Sequence, residues 1–151
     1  MKGKLLVLFL FFNFCLVAQN PGVVKWGENY SHVLKKANRN QKPVIVYFSG
    51  SDWCAPCKRL KKDLFDSSDF EVLANKCNLL YVDIPQNRDL LSKSQYNHNR
   101  QLMNKLNPRK VFPLVMVLDK KGNIKKQLSG YGIIQEPSGY LQMIRESIQR
   151  E

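Results

Sequence analysis

The chain has 151 residues, of which 44% are hydrophobic and 24% charged; this is the length of a single domain and argues against wholesale disorder, collagen-like repeats or a multi-span membrane protein. Twenty-four Lys and Arg stand against twelve Asp and Glu, for a formal charge of +12, which raises the question of an anionic partner. Four cysteines are too few for a disulfide-stapled miniprotein, so their spacing carries the information.

Met-Lys-Gly-Lys is followed by an apolar run from Leu5 to Ala18 that Asn13 interrupts. Two lysines, a short apolar stretch and a small residue at its end are the parts of a secretory signal peptide. The run falls short of the ~20 apolar residues that span a bilayer. Residues 1–18 are therefore expected to be removed after Ala18, leaving a domain over 19–151 with no stable membrane insertion. Phe14 precedes Cys15 where a lipoprotein signal requires a small residue. Cleavage leaves Cys54, Cys57 and Cys77 outside the cytosol. So brief a signal points to a bacterial protein, and to the periplasm, where disulfides form and persist.

Tyr30, Val33, Leu34 and Ala37 fall at helical spacing and predict a helix over 28–39, which Pro43 keeps from continuing. The unbroken apolar run Val44 to Phe48 predicts a strand buried on both faces. A turn at Ser49 to Asp52 leads into a helical pattern from Cys54 to Lys76, broken near Asp66, where Ser67 or Ser68 can cap a renewed helix. Leu79 to Asp83 predicts a second strand and 84–93 a polar loop. Gln95 to Leu106 predicts a helix ended by Asn107-Pro108. Leu114 to Leu118 and Ile124 to Leu128 flank a hairpin turn, and a last helix begins near Ser138. This order implies an α/β fold, a mixed central sheet flanked by helices on both faces.

The lysine pairs, among them Lys35-Lys36 and Lys120-Lys121, sit beside helices and the hairpin turn. No zinc-finger spacing or aromatic RNA-binding motif accompanies them. They read as solvated faces, and nucleic acid is not an expected partner.

Trp53-Cys54-Ala55-Pro56-Cys57-Lys58 follows a predicted buried strand and opens a predicted helix. Unpaired N–H groups and the positive end of the helix dipole favour an anionic sulfur at that junction. Cys54 is thus the expected nucleophile, facing solvent, and Cys57, nearly one turn on and sheltered, the thiol that resolves a mixed disulfide. Pro56 fits an early helical position. Two other readings of a CxxC are open: half a zinc site, for which the four-ligand set is missing, and a cuprous copper site joined by His98. Cys77 reads as a buried small hydrophobe, Trp53 as a rim residue, Trp26 as core, and both Asp52 and His98 as solvent-facing.

Phe48 to Lys58 resembles the active-site strand, turn and helix start of the thioredoxin superfamily, and the likeness extends over about residues 26–149. It is nearest to exported thioredoxin-like proteins and periplasmic thiol–disulfide interchange domains. The resemblance implies a thioredoxin fold and a cofactor-free protein disulfide oxidoreductase acting through Cys54 and Cys57 on disulfide-containing protein substrates. It also implies a cis peptide before Pro113, with Trp53, Phe112 and Pro113 binding substrate and Ala55, Pro56 and Lys58 supporting the dithiol. Two positions depart from the family pattern: Tyr47 stands where a buried acid is usual, and Leu114 where Thr is usual. Ala55 and Pro56 offer no cationic or imidazole donor, and Lys58 is expected to run along the helix, so the expected direction is reduction or isomerisation, fed by a membrane electron donor. The alternative function is a copper-binding or chaperone module on the same fold.

Overall fold

The structure is a computed structural model that describes residues 24–134 and 136–149; the expected signal peptide lies outside the described residues. Helix α1, Tyr30–Asn40, begins where the Asn29 side chain accepts from the His32 N–H at 3.0 Å. It ends at Gln41, whose φ of 56° turns the chain out of the helix. Strand β1, Val44–Ser49, is buried along its whole length, as its unbroken apolar run requires. Helix α2, Ala55–Leu60, continues through a π-helical turn, Lys61–Phe65. Ser67 then caps α3, Ser68–Ala74, by accepting from Phe70 N–H.

Strand β2, Asn78–Asp83, precedes a short 3-10 turn at Arg88–Leu90 and helix α4, Lys93–Leu106, which Ser92 caps and which starts two residues ahead of the expected Gln95. Strands β3, Leu114–Leu118, and β4, Ile124–Ser129, form the hairpin, and α5, Ser138–Ile148, closes the fold. Among the described residues the sheet has the order β2-β1-β3-β4, with β1 parallel to β2 and the other neighbouring pairs antiparallel. Gly27 adds a bridge outside β2 by donating to Leu79 O and accepting from Tyr81 N–H, both at 2.9 Å. The helical periodicity of the sequence gave no sign of this contact.

Alternation along the strands divides the core in two. Ile45, Tyr47, Val115 and Val117 face α2, α3 and α5, whereas Val44, Val46, Phe48, Met116 and Leu118 face α1 and α4. Phe48 is wholly buried, and truncating such a side chain to Ala costs about 3–5 kcal/mol. Register fixes which loops meet. Val44 pairs with Asn78 and Leu118 at one end of the sheet, and Phe48 pairs with Val82 and Leu114 near the other. The chain leaving β1, leaving β2, approaching β3 and leaving β4 therefore converges at a single end. The opposite end holds the start of β1, Cys77 and the hairpin turn.

Candidate active site

The turn after β1 is built around Gly50. Its carbonyl accepts from Cys54 N–H at 2.8 Å, and a Cβ there would lie 2.2 Å from the Trp53 ring, so a residue without one is required. Cys54 is the N-cap of α2, and its sulfur accepts from Cys57 N–H at 3.3 Å. This is where unpaired helix N–H groups stabilise a thiolate. Pro56 lies in the first turn, where no hydrogen bond is lost. Cys54 and Cys57 form a disulfide with Cα atoms 5.2 Å apart.

Both cysteines are buried, Cys54 at 3% exposure and Cys57 at 1%. The expectation that Cys54 faces solvent is corrected: both cysteines belong to the apolar cluster that includes Leu60, Phe65 and Tyr131. Trp53 is exposed, and its ring meets Phe112 edge-on at 5.3 Å while its Nε1 donates to Ile84 O at 2.8 Å. The Phe112–Pro113 peptide is cis, as the resemblance implied, and Pro113 O accepts from Gly130 N–H at 2.9 Å. The disulfide turn, the proline loop and the loop after β4 thus share one end of the sheet.

Side chains that sequence reasoning passed over hold these loops. Asn107, buried, donates to Val111 O and accepts from Val111 N–H, at 2.9 and 3.1 Å, and so clamps the chain two residues before Pro113. Buried Asp83 accepts from Ser51 N–H and Oγ, at 2.8 and 2.5 Å, and its carbonyl accepts from Asn99 Nδ2 at 2.9 Å. The signal available for Asn107 was its place in an Asn-Pro helix stop; for Asp83 there was none. Asp52 is solvated, as expected, and also accepts from Asn87 and Gln86 N–H at 2.8 and 3.0 Å in exposed hydrogen bonds; the Asn87 bond leads the causes that hold its carboxyl below the usual range. Lys58 does not run along the helix: its Nζ reaches back to Asp52 O at 3.2 Å.

Tyr47 lies beneath the site. Its hydroxyl donates to Cys57 O at 2.9 Å, its ring packs 4.5 Å from Phe65 and 5.6 Å from Tyr81, and burial pushes its pKa up strongly. A neutral donor therefore occupies the place of the usual acid. Trp26 packs on the same aromatic cluster, 5.0 Å from Phe65. Arg59 Nη2 donates to Tyr131 O at 3.3 Å, and Tyr131 OH to Asp63 at 3.0 Å. Burial first, then that bond, pushes the Tyr131 phenol up to about 12.

Cys77 is free and buried at the far end of the sheet, its thiol pushed up to about 12 by burial, in line with a structural reading. His98 is not solvent-facing: it accepts from Tyr30 N–H at 3.3 Å and contacts Asn99 Oδ1 at 3.0 Å. It does not join the two cysteines, and among the described residues no group of three or more His, Cys, Asp or Glu side chains is placed to hold a metal ion.

A family model described as a thioredoxin-like domain matches residues 30–144. The chain is 30% identical over 118 residues to the disulfide bond reductase DsbH of Chlamydia pneumoniae, covering 77% of this chain and 66% of that protein. It is 36% identical over 47 residues to the thioredoxin-related protein DsbJ of the same organism, covering 31% of this chain and 14% of that protein. It thus spans just under two thirds of the first of these relatives and a small part of the second. Among solved structures, a DsbH oxidoreductase superposes with a TM-score of 0.72 at 23% identity, covering 84% of this chain and 85% of that one. The reduced C-terminal domain of Neisseria meningitidis DsbD superposes at 0.56 with 15% identity, covering 78% and 91%. The fold is the thioredoxin fold, and the chain is homologous to disulfide oxidoreductases with a CxxC pair in place.

Proposed function

We propose, from the premise that this chain belongs to the thioredoxin-like domain family, that it is an exported thiol–disulfide oxidoreductase working in the reducing or isomerising direction. The observation that carries the reading is the Cys54–Cys57 disulfide at the start of α2, on the same end of the sheet as cis-Pro113 and the exposed Trp53–Phe112 edge.

In the reduced protein the Cys54 thiolate attacks one sulfur of a substrate disulfide. The S–S bond breaks, the other substrate sulfur leaves as a thiolate and takes a proton from water, and a mixed disulfide forms on Cys54. Cys57 then loses its proton and attacks the Cys54 sulfur. The substrate leaves as a dithiol, and the Cys54–Cys57 disulfide forms. Two electrons have passed from protein to substrate, and a dithiol donor at the membrane returns them. Trp53, Phe112 and Pro113 receive the substrate backbone; Ala55, Pro56 and Lys58 shape the helix start. No resident cofactor takes part.

Direction follows from how strongly the reduced thiolate is held. Cys57 N–H supports the Cys54 sulfur, Ala55 and Pro56 add no charged donor, and Lys58 is turned to Asp52 O. Weaker stabilisation of the thiolate makes a more reducing couple. Residues 1–18 act as a cleaved signal, and the mature domain over 19–151 works in the periplasm on disulfide-containing proteins. The test is a redox titration of the mature protein with mass-spectrometric mapping of paired cysteines. A potential nearer to about −270 mV than to about −120 mV, together with reduction of insulin disulfides, is the expected result. An oxidising potential overturns the direction. Stoichiometric cuprous copper binding without insulin reduction overturns the enzyme and supports the copper module.

A further inference from the structure

The end of the molecule away from the disulfide is strongly basic. Helix α1 contains no acidic residue and exposes Lys35, Lys36 and Arg39. On one flank it borders a depression of about 570 Å³ that Lys25 and Lys42 also line. On the other it borders a more open one shared with Lys120 and Lys121 of the hairpin turn. Lys42 Nζ is held by Asn75 O at 2.7 Å, and Lys120 Nζ by the Gln41 side chain, so the two flanks are fixed to α1. Of the acids near it, Asp119 accepts from Lys121 and Asn123 N–H and lies 3.6 Å from Lys125, Glu71 is engaged as well, and Glu28 is exposed just before α1. The disulfide end, by contrast, mixes Lys58, Arg59 and Arg109 with Asp52, Asp63 and Asp83.

We propose that this basic end, formed by α1, Lys25, Lys42 and the hairpin turn, is a docking surface for an anionic phospholipid bilayer. Clustered cations attract a negatively charged headgroup layer and lose that attraction beyond a Debye length, about 10 Å at 0.1 M salt. A bilayer fits better than a single-stranded nucleic acid. Tyr30, the aromatic side chain of α1, lies under Lys105 and against Gly122 rather than offering its face to a base. Docked in this way, the protein turns its disulfide away from the lipid toward partners in the aqueous phase.

The mature protein over 19–151 is mixed with vesicles of phosphatidylglycerol and phosphatidylcholine, or of phosphatidylcholine alone, and sedimented. The ratio of the two partitions reads the charged face. A ratio well above one that falls steeply with added salt is expected. Neutralising Lys35, Lys36, Arg39, Lys120 and Lys121 to Gln lowers the ratio at least about tenfold, whereas neutralising Lys62, Lys93, Arg100, Lys110 and Arg145 changes it less than about twofold. A ratio of one for the native protein, or equal losses in the two variants, overturns the proposal. So does retention on a single-stranded oligonucleotide without any preference for anionic vesicles. Dithiothreitol should reduce the disulfide as fast on anionic vesicles as in solution; a slower rate overturns the outward orientation.

Discussion

The two ends of the sheet treat cysteine in opposite ways. Cys54 and Cys77 are both buried, at 3% and 9% exposure, so burial does not distinguish them. Cys54 caps a helix and accepts an N–H, in a disulfide. Cys77 sits before β2 in apolar surroundings, with Lys42 and Lys76 near it, and burial outweighs their charges to push the thiol up to about 12. Desolvation opposes a thiolate wherever it acts. What makes a buried sulfur reactive is a donor already aimed at it.

The largest test of that contrast exchanges serine for each cysteine. Cys54→Ser should lower insulin-disulfide reduction on the order of a thousandfold, and Cys77→Ser should leave it within about twofold. With Cys57→Ser the protein should accumulate mixed disulfides on Cys54, detected by intact mass. Comparable trapping by the Cys54→Ser protein would reverse the assigned roles.

Next in size is the clamp that sets the proline loop. Asn107→Ala leaves Val111 N–H and C=O without their partner, at a cost of about 1–3 kcal/mol for a buried pair. It should also raise KM for protein disulfides about tenfold while sparing a small soluble disulfide. A change in kcat alone would place Asn107 outside substrate binding.

These residues also mark how far the sequence could be read. The CxxC, the proline before a strand, the buried run Val44 to Phe48 and the Ser67 cap all rest on neighbours within a few positions, and the structure has each where local chemistry puts it. His98 and Lys58 were misread because their partners, Tyr30 and the Asp52 carbonyl, are chosen by how loops meet at a sheet end. Gly27 beside Leu80 is the same case: one backbone bridge leaves no periodic trace. Tyr47 is intermediate. Its position was visible, but its bond to Cys57 O depends on the packing of α2 over β1.

Tyr47→Phe should therefore sharpen the comparison at the active end. It removes the donor to Cys57 O and should cost about 1–2 kcal/mol in chemical denaturation. If the hydroxyl also positions the second thiol, resolution of the Cys54 mixed disulfide by Cys57 slows while formation of that intermediate does not. Equal slowing of both steps would make the effect one of stability alone.

The smallest effect belongs to the far end and concerns pH. A thiol whose pKa rises from about 8.5 in the unfolded chain to about 12 in the folded one binds its proton more tightly when folded. Its contribution to stability is whole below the unfolded pKa and is lost as pH rises toward the folded one, because the unfolded chain is the first to release the proton. Unfolding free energy should thus fall by about 1 kcal/mol between pH 8.5 and 9.5 on account of Cys77. The buried phenols of Tyr47, Tyr81 and Tyr140, also raised by burial, act in the same sense at higher pH. Cys77→Ala removes the thiol's share and should flatten the slope in that first window while leaving the phenol-driven fall above it. An unchanged slope would show that the Cys77 thiol titrates normally, and the distinction drawn between the two buried sulfurs would lose its physical basis.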